Sequence, residues 1–322
     1  MIKRTRQAKK TADAILVSDL HLADSIPVSR TDDYITAQIN KLAFLQSLSN
    51  KNNNCPILCA GDIFDRWKAS PWLCSMAFMH LPRPFIGIPG QHDLPEHSLK
   101  EFPRSALGLL AEVSDPDEFD IITIRAAQRG TQAGETKVVA TGIPFGELNK
   151  FVLNPEFERS PHYRYILMLH ELTWQGKAPS WDKNGLTDLE LLDKFGEHFD
   201  LILTGDNHAG FVTRQGDSLL VNPGSMMRKT ADQEHYIPRC YLYYADDNTV
   251  THVEYPIEKG VHNREHIDRK RERDDRTAAY ISNIRQWESG GLSFKKNLEA
   301  FFKENKVTQK VRDLILCHLE TH

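Results

Sequence analysis

Carboxylates and imidazoles recur along this chain in short clusters: Asp19-Leu20-His21, Gly61-Asp62-Ile63-Phe64-Asp65, Gly90-Gln91-His92-Asp93, a lone His170, and Gly205-Asp206-Asn207-His208. A divalent cation needs several deprotonated oxygen or imidazole ligands converging on one point. Asp19 and His21 stand two apart, so on an extended segment they point the same way. The two oxygens of Asp62 can bridge two ions, and Gly61 allows close backbone approach. His170 with the Asp206/His208 pair would complete two coordination spheres. Two ions roughly 3.5–4 Å apart can hold a bridging hydroxide and clamp a phosphoryl group during in-line attack. They also stabilise the extra negative charge of the transition state. His92 is then the natural proton donor to the departing alkoxide, and Asp93 beside it is the candidate to orient the imidazole.

Such groups meet only if the backbone brings them to one place. Most of the clusters follow an apolar run that ends abruptly: Ala14-Ile-Leu-Val17, Pro56-Ile-Leu-Cys-Ala60, Phe85-Ile-Gly-Ile88, Tyr165-Ile-Leu-Met-Leu169 and Leu201-Ile-Leu-Thr204. Runs of this kind read as buried strands. Groups just beyond them gather at one edge of a sheet, where open sheets commonly bind ligands. Helices are expected between the strands. Asp32-Asp33 starts one carrying Ile35, Ile39, Leu42 and Leu45; Pro71 opens another running to His80; others fall near 104–112 and 187–196. Residues 120–124 and 137–141 flank a glycine-bearing loop, Gly130 to Gly134, and read as a hairpin. Five strands in succession follow from 201 to 255. Interleaved helices and two groups of strands predict an α/β protein with two sheets face to face, flanked by helices.

Composition shifts after Pro256. Residues 264–276 carry charges of both signs in near balance, the pattern of a solvated helix face. Ser293 and Thr308 are placed to cap two further helices. The expected division is therefore a catalytic domain over 1–257 and a helical C-terminal extension over 258–322. The net charge of −4 offers no global basic field for nucleic acid. The N-terminal run Lys3-Arg4-Thr5-Arg6 with Lys9-Lys10 is a solvated tail or a phosphate contact. Five scattered cysteines fit a reducing cytoplasm better than a disulfide framework. No stretch approaches the roughly 20 apolar residues of a membrane span, and no membrane partner is expected.

At these clusters the chain resembles the calcineurin-like metallophosphoesterases, which show Asp-x-His, Gly-Asp-x-x-Asp, Gly-Asn-His-Asp/Glu, a lone His and Gly-His-x-His in this order. The resemblance covers roughly residues 12–256 and implies a four-layer α/β/β/α sandwich. It implies one metal held by Asp19, His21, Asp62 and His208, and a second held by Asp62, Gln91, His170 and Asp206. It matches His92 to the family's catalytic histidine and Asp65 to an acid that supports a ligand without being one. Two positions depart from the pattern: Gln91 stands where the family has Asn, and Asp206 where it has His. Both fall on the second metal. An added carboxylate in place of imidazole favours Mn²⁺, or Mg²⁺, over Zn²⁺.

The turn Asn222-Pro-Gly-Ser-Met-Met-Arg228 after the last metal motif is similar to one in SbcD-like DNA nucleases. Arg66 and Arg228, with Lys229, are the candidates to contact substrate phosphate. Trp67 and Trp174 are candidates to stack on bases. The resemblance thus implies DNA as substrate, an SbcC-type ATPase as partner and a homodimer as one assembly. Two rival readings stand beside it. One is a small-molecule phosphodiesterase or nucleotide pyrophosphatase, since Ser18-Asp19-Leu20-His21-Leu22 also resembles the opening motif of UDP-sugar-lipid pyrophosphatases. The other is a catalytically weakened interaction scaffold.

Overall fold

The computed structural model describes residues 10–123, 128–131, 137–153, 159–182, 185–288 and 294–320. The chain divides into two compact units, Met1–His262 and Asn263–His322. The first unit runs past residue 257 because the backbone of Thr31 bonds to Val261 and Arg30 bridges His262. Its strands in chain order are β1 (Ala14–Val17), β2 (Ile57–Cys59), β3 (Phe85–Gly87), β4 (Phe119–Ile121), β5 (Gln128–Thr131), β6 (Lys137–Ile143) and β7 (Tyr163–Leu169). They continue as β8 (Thr173–Trp174), β9 (Leu186–Thr187), β10 (Leu201–Thr204), β11 (Phe211–Gln215), β12 (Ser218–Asn222), β13 (Arg239–Tyr244) and β14 (Thr249–Glu254).

Two six-stranded sheets result, in the orders β14-β13-β1-β2-β3-β4 and β11-β12-β10-β7-β6-β5. β1, β2, β3 and β4 run parallel, as do β6, β7, β10 and β12. Alternation along each strand assigns the layers. Ala14 and Leu16 of β1 pack with Leu58, Ile166, Met168, Leu201 and Leu203 between the sheets. Ile15 and Val17 turn the other way, onto helices α1 (Tyr34–Lys51), α2 (Pro71–His80) and α3 (Ala106–Val113) through Leu42, Leu45, Met76 and Leu107. Leu167, Leu169 and Ile202 face α4 (Asp188–Phe195) through Leu191, Leu192 and Phe195. Helix, sheet, sheet, helix is the four-layer sandwich. Because these strands are covered on both faces, they appear in sequence as continuous apolar runs.

Local chemistry sets the helix starts. Asp33 accepts from Thr36 N, Ser70 caps α2 ahead of Pro71, and Thr187 forms a reciprocal capping box with Glu190. In the second unit, α5 (Glu265–Glu288), α6 (Phe294–Glu304) and α7 (Gln309–Glu320) gather Leu298, Phe302 and Ile315 into a small core. The expected hairpin of 120–124 with 137–141 is not the pairing found: β4 lies at the edge of the first sheet beside β3, and β6, in the second sheet, takes β5 as its antiparallel partner. Ser293, residues 132–136 and the basic run before Lys10 lie outside the described residues. Lys10 itself pairs with Asp247 at 2.6 Å. Among the described residues, no helix is long and apolar enough to cross a membrane.

Candidate metal centre

The clusters stand where parallel strands of both sheets end. Asp19 and His21 follow β1, Asp62 follows β2, Gln91 and His92 follow β3, His170 follows β7, and Asp206 and His208 follow β10. The backbone that presents them is left-handed at Asp19 (φ 50°), His21 (45°), Asp62 (53°) and Asp206 (70°). Each such non-glycine residue is strained and persists only when its surroundings impose it. Here Asp19 N bonds to Gly61 O and His21 N to Asp62 O, both at 3.0 Å, locking the two motif loops together. Gly61 is required on two counts. Its φ is 95°, and a Cβ there would lie 2.4 Å from the His170 ring. A Cβ on Gly90 would strike the Asp62 carboxylate at 2.2 Å.

Three overlapping groups have ligand atoms within 4.8 Å of one another: Asp19/His21/His208, His21/Asp62/His92 and Asp19/Asp62/His170. The His21 and His208 Nε2 atoms face each other at 3.0 Å, and Asp19 Oδ1 lies 3.8 Å from each. Two nitrogens each about 2.1 Å from one cation and at right angles would stand about 3.0 Å apart. Asp62 Oδ2 lies 3.4 Å from His170 Nε2 and 3.7 Å from His21 Nε2. His170 donates Nδ1–H to the Ala60 carbonyl at 2.6 Å, which leaves the Nε2 lone pair for the centre. Asp19 Oδ2, Asp62 Oδ2 and His170 Nε2 are buried without a hydrogen bond. Each buried polar atom left so costs about 1–3 kcal/mol. Several such atoms converging on one point fit a divalent cation.

Electrostatics agree. Burial and the neighbouring Asp62 push the Asp19 carboxyl up, against the pull of His170 and His21. Burial would raise Asp62 too, but the His170 and His21 charges hold it well below the usual carboxylate range. Burial would lower His170, yet Asp62 and Asp19 lift it to about 10. Burial and the His21 charge depress His208 to about 4, leaving it neutral and ready to ligate. Protons thus take the place of cation charge, and a cation must displace them. Affinity for Mn²⁺ is expected to rise with pH. Asp19 sheds its proton first, and the His170 proton then makes affinity climb about tenfold per pH unit up to about 10. Chelator competition between pH 6 and 9 checks this; a flat profile would rule out proton displacement at His170.

Several placements differ from expectation. Asp93 does not orient His92. Its buried carboxylate accepts from the backbone N–H of Ile63, Phe64 and Gly90, at 3.1, 2.8 and 2.9 Å. The Asp65 carbonyl holds His92 instead, accepting from Nδ1 at 2.9 Å. The Asp65 carboxylate stands 3.5 Å from His21 Nδ1 and pairs with Lys229, so Lys229 reaches the centre only through Asp65. Arg228 turns away: its guanidinium donates to the Glu234 and Glu258 carbonyls and lines a separate cavity. Arg66 is exposed beside Trp67. Trp174 binds Asp182 through Nε1 and packs edge-on against exposed Trp181. Gln91 and Asp206, the two departures from the family pattern, bond to each other at 2.7 Å. Asp206 lies outside the three tight groups found among the described residues, while its N–H donates to Asp19 Oδ1 at 3.2 Å.

A family model described as calcineurin-like phosphoesterase matches residues 14–210, the span that holds Asp19, His21, Asp62, Gln91, His92, His170, Asp206 and His208. The chain belongs to that family. It is a metallophosphoesterase-type hydrolase, and such enzymes work with divalent cations. Among solved structures the metallophosphoesterase chain is similar to TT1561 of Thermus thermophilus, with 14% identity over 76% of this chain and 99% of that one, at a TM-score of 0.46. A dimetal phosphatase from Danio rerio shares 13% identity over 77% of this chain and 100% of its own, at 0.45. An archaeal phosphodiesterase shares 12% over 75% and 98%, at 0.37. No curated protein matches the sequence.

Proposed function

We propose that the chain is a two-metal phosphodiesterase acting on DNA, of the SbcD-like kind, with residues 258–322 as an appended helical element. The observation that carries the reading is the convergence of Asp19, His21, Asp62, His170 and His208 around buried, unbonded ligand atoms. Two overlapping groups support two ions. Asp19, His21 and His208 would hold one; Asp62 with His170 would hold the other, joined by Gln91 and Asp206. The added carboxylate favours Mn²⁺ or Mg²⁺. When bound, the cations would activate water and neutralise phosphoryl charge.

The protein's own groups do the rest. The Asp65 carbonyl requires a hydrogen on Nδ1 of His92, so the proton that the imidazolium can deliver sits on Nε2. That nitrogen lies 3.9 Å from Asp62 Oδ2, at the edge of the cluster. The His92 side chain is 42% exposed, so a departing oxygen can reach it from solvent. Exposed Arg66 and Trp67 follow the Asp62 motif and offer a cation and a stacking face to a strand. An SbcC-type ATPase and a second copy of the chain remain the partners this reading would entail.

With Mn²⁺ the protein is expected to cut linear or single-stranded DNA, and an Asp62→Asn control should not. Turnover of nucleotide diphosphates or bis-nitrophenyl phosphate with DNA left intact would replace the nuclease reading by a small-molecule one. Stoichiometric metal binding with no turnover of any of these would favour a scaffold.

A further inference from the structure

Arg228, which the metal centre does not use, belongs to a second cationic site. A cavity of about 120 Å³ is lined by Arg30, Asp32, Asn40, Lys41, Arg228 and Glu258, with Ala37, Pro256 and Ile257. None of these is a candidate metal ligand. Arg30, Lys41 and Arg228 are 9%, 5% and 6% exposed. Charges buried to this degree normally have paired counterions. Asp32 neutralises Arg30 through two bonds, at 2.8 and 2.5 Å. Among the described residues no carboxylate bridges Lys41 or Arg228, whose side chains donate to the carbonyls of Met226, Glu234 and Glu258. The Lys41 bond to Met226, at 2.6 Å, uses one of three donors. Glu258 is exposed and gives Arg228 only its backbone oxygen.

Lys41 and Arg228 therefore share a walled space whose one buried carboxylate, Asp32, is already engaged by Arg30. The space is large enough for a tetrahedral oxyanion with water, since one water needs only about 10–15 Å³. We propose that this cavity binds a phosphate-class oxyanion, with Lys41 and Arg228 as its charge partners. The site is separate from the metal centre, and the 225–229 segment runs between them: Met226 O accepts from Lys41 while Met226 N donates to Asp19 O.

Lys41 also responds to its surroundings. Burial and then the Arg30 and Arg228 charges depress its amine to about 7, against Asp32. The Tyr255 ring lies 5.5 Å away, and Glu258 faces the same space. An anion restores the proton, so above pH 7 binding is expected to take one up. Sulfate is the suitable probe because it does not itself titrate there.

Calorimetric titration of sulfate into the full, metal-loaded protein at fixed ionic strength tests the site. One saturable site is expected, weakened about tenfold or more in Lys41→Met and likewise in Asn40→Asp, which puts a carboxylate at the exposed rim. Asp62→Asn, titrated without metal beside metal-free wild type, should bind sulfate as that wild type does. Displacement of sulfate by inorganic phosphate, or by a 5′-phosphorylated but not a 5′-hydroxyl oligonucleotide, supports the proposal and tells a free anion from a strand end. Absence of saturable binding, unchanged affinity in well-folded Asn40→Asp, loss of binding in Asp62→Asn, or displacement by neither phosphate source would overturn it.

Discussion

Asp62→Asn is expected to strip the centre of metal and to lower turnover by roughly 10³-fold or more, about 4 kcal/mol at 1.36 kcal/mol per decade. Among the described residues no other carboxylate is placed as Asp62 is. Its Oδ2 stands within 3.9 Å of His21, His92 and His170, and Oδ1 accepts the His92 N–H at 2.8 Å. An amide keeps the shape but loses the charge that counters His170. It also presents a nitrogen to some of these imidazoles, where no lone pair can ligate. Both ions would feel the change, because Asp62 Oδ2 faces His21 of one proposed ligand set at 3.7 Å as well as His170 of the other at 3.4 Å. The paired measurement is metal content by mass spectrometry beside Mn²⁺-dependent turnover. A variant that kept its full metal complement and its rate would remove Asp62 from the centre and the two-ion reading with it.

Much of this was legible because parallel strands with both faces covered announce themselves. Ala14–Val17, Ile57–Cys59 and Leu201–Thr204 are fully buried, and each is followed within a few residues by a polar cluster. Strand ends and the order of residue types suffice to say that Asp19, Asp62, His170 and His208 approach one another. They do not say which atom of each faces inward. Asp93 shows why. Gln91–Asp93 form a single 3₁₀ turn, in which successive side chains diverge by about 120°. His92 and Asp93 therefore cannot share a direction: one faces the cluster while the other turns inward to hold three backbone N–H groups.

The sequence places Arg228 beside the metal motifs and the fold turns it away, for a related reason. Its neighbours in the chain, Gly224 and Ser225, do lie against the metal loops, with Ser225 N bonded to His208 O at 3.2 Å and Ser18 Oγ to Gly224 O at 3.3 Å. Proximity in sequence was a fair guide to the backbone and no guide to a long side chain. The orienting carbonyls of Ala60 and Asp65 were also out of reach, since any residue supplies a carbonyl and only the fold aims it. The Gln91–Asp206 pair was visible as two separate departures from a motif. That they meet, the longer amide reaching the shorter acid, is set by the fold and not by either motif alone.

His92→Ala separates proton delivery from metal binding. Turnover of a phosphodiester whose leaving group is a basic alkoxide is expected to fall on the order of 10²–10⁴-fold. Metal content should stay at the wild-type level, because Asp19, His21, Asp62, His170 and His208 are untouched. An aryl diester such as bis-nitrophenyl phosphate expels an anion that is stable near neutral pH and needs little help from an acid. Its loss should be smaller by about a factor of ten or more. The contrast between the two substrates carries the assignment, since His92 also stands in the His21/Asp62/His92 group and could act by ligating. A ligand's removal would lower both rates together and release metal; an acid's removal discriminates by leaving group and spares the ions. Equal losses on the two substrates would move His92 from proton donor to ligand, and wild-type rates on both would take it out of the mechanism.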